Sequence, residues 1–148
     1  MAGRIPTIAD VKIAADIIYQ HISPAPLIRS YRLEKELGLP ESRRVWIKDY
    51  GATPVGSFKL LGALNWMAHN LEIAEERPIA AHSSGNFASG ISFAGYRYQK
   101  RVIIVMPESA PQVKFGLTAS FGAEIRPYDI TTDHETGMRD QLTRERKF

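Results

Sequence analysis

The sequence predicts an α/β fold in which helices lie on both faces of a small parallel sheet, giving three αβα layers. Two apolar runs, PIAAH at 78–82 and RVIIVMP at 101–107, lack alternation, which is typical of strands covered on both faces. A third run, AEIRPY at 123–128, contains Pro127, which cannot donate to a sheet ladder, so we expect a short or edge strand. Helical segments separate the runs, and strands that alternate with helices favour parallel pairing.

Before these runs, the first helix is predicted from Thr7, a capping residue followed three positions later by Asp10. Apolar residues then recur at helical spacing at Ile8, Val11, Ala15, Ile18 and Ile22. The prolines of SPAPL at 23–27 favour an extended segment.

A short helix is predicted at 30–37, stopped by Gly38, and RVWIK at 44–48 predicts a strand. Neither the first helix nor this strand has an obvious sheet to join within the chain. The loop 49–56 leads into a helix that carries Lys59.

The later helices are predicted over residues 87–99, 111–121 and from 132 onward. Pro111 suits a first helical position and Gly122 suits a helix end. Thr132 and Glu135 form a capping-box pattern at the start of the last helix.

Composition sets the class of protein. The chain has 148 residues, 44% hydrophobic and 24% charged, as expected of one ordinary globular domain. Its formal charge of +3 is spread along the chain, which argues against nucleic-acid or membrane-surface partners. There is no cysteine, no signal-peptide pattern and no apolar run long enough to span a bilayer, so we expect a cytoplasmic protein. No metal is expected, because no ligand spacing relates His21, His69, His82 and His134.

Lys59 is the first candidate for chemistry. It lies between Phe58 and Leu60 where a helix should begin, and the positive end of a helix dipole repels a cation. A desolvated amine held there should be partly neutral near pH 7, nucleophilic, and suited to a Schiff base with a carbonyl. The alternative is a surface lysine that extends its ammonium to water.

The second candidate is the turn in AAHSSGNFASG at 80–90, where an apolar strand runs into a helix. Backbone N–H groups at such a turn can hold a phosphate or carboxylate, and Ser83, Ser84 and Asn86 add side-chain donors. Gly85 permits close approach of the backbone. The same residues are also ordinary turn and cap residues. Together with Lys59, the turn supplies the parts of a site for pyridoxal phosphate and an amino acid.

The chain resembles the N-terminal part of the fold-type II pyridoxal phosphate enzymes, closest to the threonine dehydratase and serine racemase group. The segments that carry this resemblance are WIKDYGATPVGSFKLLGALN and HSSGNFASGISFAGYRYQKRVIIVMPESAPQVKFGLTASFGAEI. The resemblance implies an incomplete fold-type II fold. Residues 1–64 would belong to the large cofactor domain, and residues 65–148 would form the small parallel α/β domain.

The resemblance also assigns roles. Lys59 matches the lysine that forms the Schiff base with the cofactor and then acts as base at the substrate Cα. Phe58 matches the residue that lines the cofactor ring, and Asn86 the asparagine that hydrogen-bonds the ring hydroxyl. Ser83, Ser84 and Gly85, with the neighbouring amides, match the loop that binds the substrate carboxylate. Ser84 also matches the position that moves a proton on the opposite face in serine racemases.

The reaction implied is loss of water from a β-hydroxy amino acid such as threonine or serine, giving a 2-oxo acid and ammonia. Two residues depart from the family pattern. Phe87 replaces the histidine usual in dehydratases, so substrate choice should differ, and Leu61 replaces the usual arginine. The family's glycine-rich phosphate loop and the residue facing the pyridine nitrogen are expected after residue 148. A homodimer is expected for the full-length protein by analogy.

Two alternatives stay open. The chain could act as a non-catalytic module that binds a small amino acid or a partner through the carboxylate loop. It could instead belong to a β-replacement or threonine synthase-like enzyme of the same superfamily. In isolation, the first 60 or so residues should expose apolar surface, because they would pack on a larger domain.

Overall fold

The computed structural model describes residues 4–131. Its elements follow in the order α1 Ile8–Ile18, β1 Leu27–Arg29, α2 Tyr31–Glu36, β2 Trp46–Lys48, α3 Lys59–Ala68, α4 Leu71–Glu76, β3 Ile79–His82, α5 Asn86–Tyr98, β4 Val102–Pro107, α6 Gln112–Ser120 and β5 Glu124–Tyr128. The helix predicted from residue 132 onward lies outside the described residues.

A parallel sheet with the order β3-β4-β5 forms the second half of the described chain. The central strand β4 is buried at every position, as its unbroken apolar run predicts. β5 lies at an edge and accommodates Pro127, which confirms the expectation for the third run. Helices α5 and α6 pack on each other and against β4 and β5 respectively. The α/β class with a small parallel sheet is therefore confirmed.

The predicted ends of α2, α5 and α6 agree with the structure to within about a residue, whereas α1 ends at Ile18, before the last residue of its predicted stripe, Ile22. Thr7 and Asp10 form a capping box at the start of α1, and Ser30 caps α2. Gly38 and Gly122 adopt positive φ angles of 60° and 78° just after α2 and α6, which explains the glycine at each stop. Pro111 lies one residue before the first helical residue of α6 rather than at it.

The expectation that the 44–48 strand has no partner was wrong. β2 pairs antiparallel with β1, and Ile28 lies opposite Ile47. β1 falls inside and just after the extended proline segment, so the two short strands form a separate two-stranded sheet.

The first part of the chain exposes apolar side chains, as expected. The most exposed of these are Ile5, Ile8, Tyr31, Leu37, Leu27, Val11, Phe58, Ile13 and Trp46. The stripe predicted along α1 is only partly buried: Ile18 is buried, whereas Ile8 is 72% exposed. No helix within residues 4–131 is long and apolar enough to cross a membrane.

Helix α3 joins this part of the chain to the sheet. It buries Leu60, Ala63, Leu64 and Met67, which recur at i, i+3, i+4 and i+7 and so form one face. That face packs on α5. Asn70 ends α3 by donating a side-chain hydrogen bond to the carbonyl of Trp66, and the short helix α4, which the sequence did not predict, follows.

Candidate active site

The amino-terminal ends of α3 and α5 lie side by side. Gly90, in the second turn of α5, is so close to α3 that a Cβ built on it would lie 3.3 Å from the N and Cα atoms of Leu60 and from the carbonyl carbon of Lys59. Asn86, the first residue of α5, lies about one helical turn before Gly90. The contact therefore places the start of α3, with Lys59, beside the Ser-Ser-Gly-Asn turn.

Lys59 is the first residue of α3 and its side chain is exposed. Its ammonium nitrogen lies 5.0 Å from the centre of the Phe58 ring, within the range of a cation–π contact. The prediction that the Lys59 amine is desolvated is therefore wrong for this structure. The reason is orientation: the buried face of α3 is occupied by Leu60, Leu64 and their neighbours, so Phe58 and Lys59 lie on the open side.

Two residues that sequence reasoning missed hold the backbone of Lys59. The buried Ser57 accepts the Lys59 N–H on its Oγ at 3.2 Å. The N–H of Ser57 donates in turn to Thr53 Oγ1 at 3.2 Å, and the Thr53 hydroxyl donates to the carbonyl of Tyr50 at 2.7 Å. A serine that accepts the N–H two residues further on forms an ordinary turn, so Ser57 could have been found from the sequence. The loop before Lys59 is therefore built by side-chain hydrogen bonds.

The turn at the start of α5 is held by Ser83. Its Oγ accepts the N–H groups of Gly85 at 3.3 Å and Ala88 at 3.2 Å, and its own N–H donates to the carbonyl of Val105 at 3.2 Å. Ser83 thus stabilises the first turn of the helix and fixes the turn to the end of β4. These contacts fit the capping interpretation of this serine, and the ligand role that the sequence also allows for it stays a prediction.

The other groups of the turn face outward. Within residues 4–131, the backbone N–H groups of Ser84, Asn86 and Phe87 donate to no acceptor. The side chains of these three residues are exposed, and a Cβ on Gly85 would meet open space. Unpaired amides at the positive end of a helix favour a carboxylate or phosphate. These amides are available to the anion that the sequence predicts here, and the binding role of the turn stays a prediction.

Asn86 has a partner that the sequence did not indicate. Lys114, in the first turn of α6, donates from its ammonium to Asn86 Oδ1. The two residues are 28 positions apart, and only the packing of α6 beside α5 brings them together.

Phe87 and Leu61, the two departures from the family pattern, have different surroundings. Phe87 is 41% exposed and lines an apolar crevice beside β3 with Gly62, Trp66 and Ile91. Leu61 is partly buried against the hydrophobic core, so an apolar contact stands where the family usually has a charge.

A histidine and a tyrosine meet at the carboxyl end of the sheet, next to the turn. His82 Nε2 lies 2.8 Å from Tyr128 Oη, across the end of the central strand, and Tyr128 is buried. Desolvation lowers the pKa of the His82 imidazole below its ordinary value. The neutral form of the His82 imidazole is therefore favoured. His82 is the last residue of β3 and precedes Ser83 in the turn.

Comparison with known proteins places this geometry in a family. Residues 18–148 match the family described as pyridoxal-phosphate dependent enzyme. The chain is 31% identical over 144 residues to L-threo-3-hydroxyaspartate ammonia-lyase of Saccharomyces cerevisiae, a match that covers 97% of this chain and 43% of the relative. It is 33% identical over 123 residues to the catabolic L-threonine dehydratase of Staphylococcus aureus, covering 83% of this chain and 35% of the relative.

A solved structure gives the same result. The serine racemase of Dictyostelium discoideum superposes with a TM-score of 0.79 at 25% identity, covering 95% of this chain and 45% of that chain. This chain spans less than half the length of each of these three relatives. The resemblance to the threonine dehydratase and serine racemase group is confirmed, as is pyridoxal 5'-phosphate as the cofactor that the family uses. The chain belongs to the family of pyridoxal-phosphate dependent enzymes.

Proposed function

We propose that this chain supplies the catalytic lysine and the substrate loop of an ammonia-lyase that converts a small β-hydroxy amino acid to a 2-oxo acid and ammonia. The observation that carries the proposal is the close contact of Gly90 with Leu60. It brings an exposed lysine and a turn with three unpaired amides to one place, and the reaction needs both.

The residues present fit the cofactor. Lys59 offers an amine at the open side of α3, with the Phe58 ring beside it as an apolar surface for a flat ring. Asn86 has its Oδ1 engaged by Lys114, which leaves the Nδ2 donor for the ring hydroxyl. When bound, pyridoxal phosphate supplies the electron withdrawal that makes the Cα proton of an amino acid acidic.

The substrate carboxylate would bind at the start of α5. The amides of Ser84, Asn86 and Phe87 would donate to its oxygens. Ser83 would hold the turn that carries these amides, through its contacts with the N–H groups of Gly85 and Ala88. A carboxylate held at these donors would be oriented with its Cα toward Lys59.

Lys59 would remove the Cα proton with its amine, as a general base. The β-hydroxyl leaves as water, and a water molecule later replaces the amino group, so that serine gives pyruvate and ammonia in equal amounts. Ser84 is exposed on the turn, and its hydroxyl has no partner within residues 4–131. It would carry a proton on the opposite face, which favours racemisation as a second activity in line with the similarity to serine racemase.

The substrate class follows from the relatives. One acts on L-threo-3-hydroxyaspartate and another on L-threonine by their names, and both are β-hydroxy amino acids. We therefore propose serine, threonine and threo-3-hydroxyaspartate as the substrates to compare. Phe87 lines the apolar crevice beside the turn, which favours an uncharged β-substituent.

The test uses the complete reading frame that encodes this chain, expressed with pyridoxal phosphate. We expect 2-oxo acid and ammonia in a one-to-one ratio from at least one of the three amino acids, and no turnover by Lys59→Ala. Ser84→Ala should lose racemisation of serine more than ammonia release. Absence of 2-oxo acid from all three substrates in a folded, cofactor-loaded protein would contradict the proposal.

A further inference from the structure

We propose that Lys114 is a positioning residue that fixes the orientation of the Asn86 carboxamide. The inference rests on the proposed function in one respect: Asn86 is taken to donate a hydrogen bond to the cofactor. Lys114 itself lies on a different helix and belongs to neither sequence motif.

The chemistry of the two groups determines the orientation. An ammonium has three donors and no acceptor, and a carboxamide accepts only through its oxygen. The contact of Lys114 Nζ with Asn86 Oδ1 therefore selects one of the two amide orientations, with Nδ2 left as the available donor. Within residues 4–131, Nδ2 of Asn86 has no acceptor. A donor is the group that a ring hydroxyl or its anion requires.

The spacing of the pair is set by the packing of α5 and α6. Asn86 and Ser89 lie on one face of α5, and Lys114 and Thr118 lie on one face of α6. Ser89 and Thr118 are both fully buried, and their hydroxyl oxygens are 3.5 Å apart. The Asn86–Lys114 contact thus lies at the exposed end of the α5–α6 interface, next to the buried Ser89–Thr118 pair.

The next pair along the same interface is aromatic. Phe93 and Phe121 meet edge to face, with ring centres 5.2 Å apart. The three successive contacts between the helices make the position of Lys114 a consequence of helix packing. It is not a chance surface contact of a flexible side chain.

The charge of Lys114 is also unfavourable for the stability of α6. Lys114 is the third residue of that helix, where the positive end of the helix dipole disfavours a cation. A residue that stabilised only α6 would be an acid at this position, so the contact with Asn86 is the interaction that accounts for a lysine.

The first test needs no cofactor. The side-chain amide resonances of Asn86 are followed by ¹⁵N–¹H NMR in the cofactor-free protein encoded by the complete reading frame, in the wild type and in Lys114→Met and Lys114→Arg. We expect Lys114→Met to shift both amide resonances and to bring them close to those of a freely rotating asparagine side chain. Lys114→Arg retains a donor and should restore the wild-type pattern in large part. Lys12→Met removes an exposed charge on α1 and should change nothing at Asn86.

The second test is a double-mutant cycle on the dissociation constant for pyridoxal phosphate. Lys114→Met and Asn86→Ala should each weaken binding by about tenfold, the range of one hydrogen bond that involves a charged group. The double variant should be no weaker than Asn86→Ala alone, because Lys114 acts through Asn86. Lys12→Met should bind as the wild type does.

The outcomes separate this inference from the proposed function. The positioning role would be overturned if the Asn86 resonances were unchanged in Lys114→Met. It would also be overturned if the double variant weakened pyridoxal phosphate binding by the product of the two single effects. These dissociation constants are measured on the protein encoded by the complete reading frame, and failure of its wild type to bind pyridoxal phosphate would count against the proposed function instead. The NMR comparison would then still decide whether Lys114 orients Asn86.

Discussion

Gly90 in α5 lies against the backbone of Leu60 in α3: a Cβ on Gly90 would lie 3.3 Å from both N and Cα of Leu60, which is closer than an ordinary van der Waals contact. Two helices can approach this closely only where one of them lacks a Cβ. The contact is made next to Lys59 and one turn from Asn86, so it sets how far apart the two parts of the site lie.

Gly90→Ala should therefore separate the two helix ends. We expect a loss of about 1–3 kcal/mol in the free energy of unfolding, the usual cost of an added group in a packed interface. Urea unfolding followed by circular dichroism measures it. Gly116→Ala is the matched control, because Gly116 is also helical and its Cβ would meet nothing within 4 Å. That variant should gain about 0.5–1 kcal/mol. Equal effects at the two glycines would contradict the role of Gly90.

Neighbouring serines in the turn should differ in stability. Ser83→Ala removes the acceptor of two amide groups, and we expect a loss of about 1 kcal/mol in the free energy of unfolding. Ser84→Ala removes an exposed hydroxyl and should stay within about 0.5 kcal/mol of the wild type. The same urea experiment compares the two. A larger effect at Ser84 than at Ser83 would show that the capping contacts are assigned to the wrong serine.

The contact of His82 with Tyr128 should make stability depend on pH. Because desolvation lowers the pKa of folded His82, the unfolded chain binds a proton more readily, so the free energy of unfolding falls as pH falls below about 6.5. His82→Gln cannot titrate and should lack this component. The difference between the two proteins, measured by urea unfolding at pH 5 to 8, should shrink toward low pH. Parallel curves would show that desolvation does not lower the pKa of His82 in the folded chain.

Low pH should destabilise the first part of the chain by protonating Glu34. Its carboxylate accepts two hydrogen bonds from Arg29 and one from the N–H of Val45, and these contacts lower its pKa from 4.5 to about 2. The stability it contributes is present above pH 4.5 and is lost as pH falls toward 2. Glu34→Gln should destabilise the chain at pH 7 and flatten this dependence. Glu36→Gln, which breaks an exposed pair with Arg32, is the control and should do neither.

Local pattern was enough to predict the parallel sheet and the position of the turn. The run at 101–107 has no alternation because β4 is buried throughout. Ser-Ser-Gly-Asn after an apolar run is typical of a turn between a strand and a helix. Contacts between distant segments were missed. The pairing of Leu27–Arg29 with Trp46–Lys48 involves three residues on each side, too few to show a period.

The same limit applies to the site. Lys59 and the turn could be named from the sequence, but the exposure of Lys59 depends on which face of α3 packs against α5, and the partner of Asn86 depends on how α6 lies beside α5. Lys114 is 28 residues from Asn86, and its spacing from either motif carries no signal. Ser57 is different, because a serine two residues before the start of a helix is a turn signal that the sequence itself carries.

The central claim is that Lys59 is the residue that takes the cofactor. The most direct measurement adds pyridoxal phosphate to the purified protein encoded by the complete reading frame, reduces the product with borohydride and maps the labelled lysines by mass spectrometry, with Lys59→Ala treated in parallel. We predict label concentrated on Lys59 and lost in the variant. Label spread over many lysines, and unchanged by Lys59→Ala, would contradict the claim.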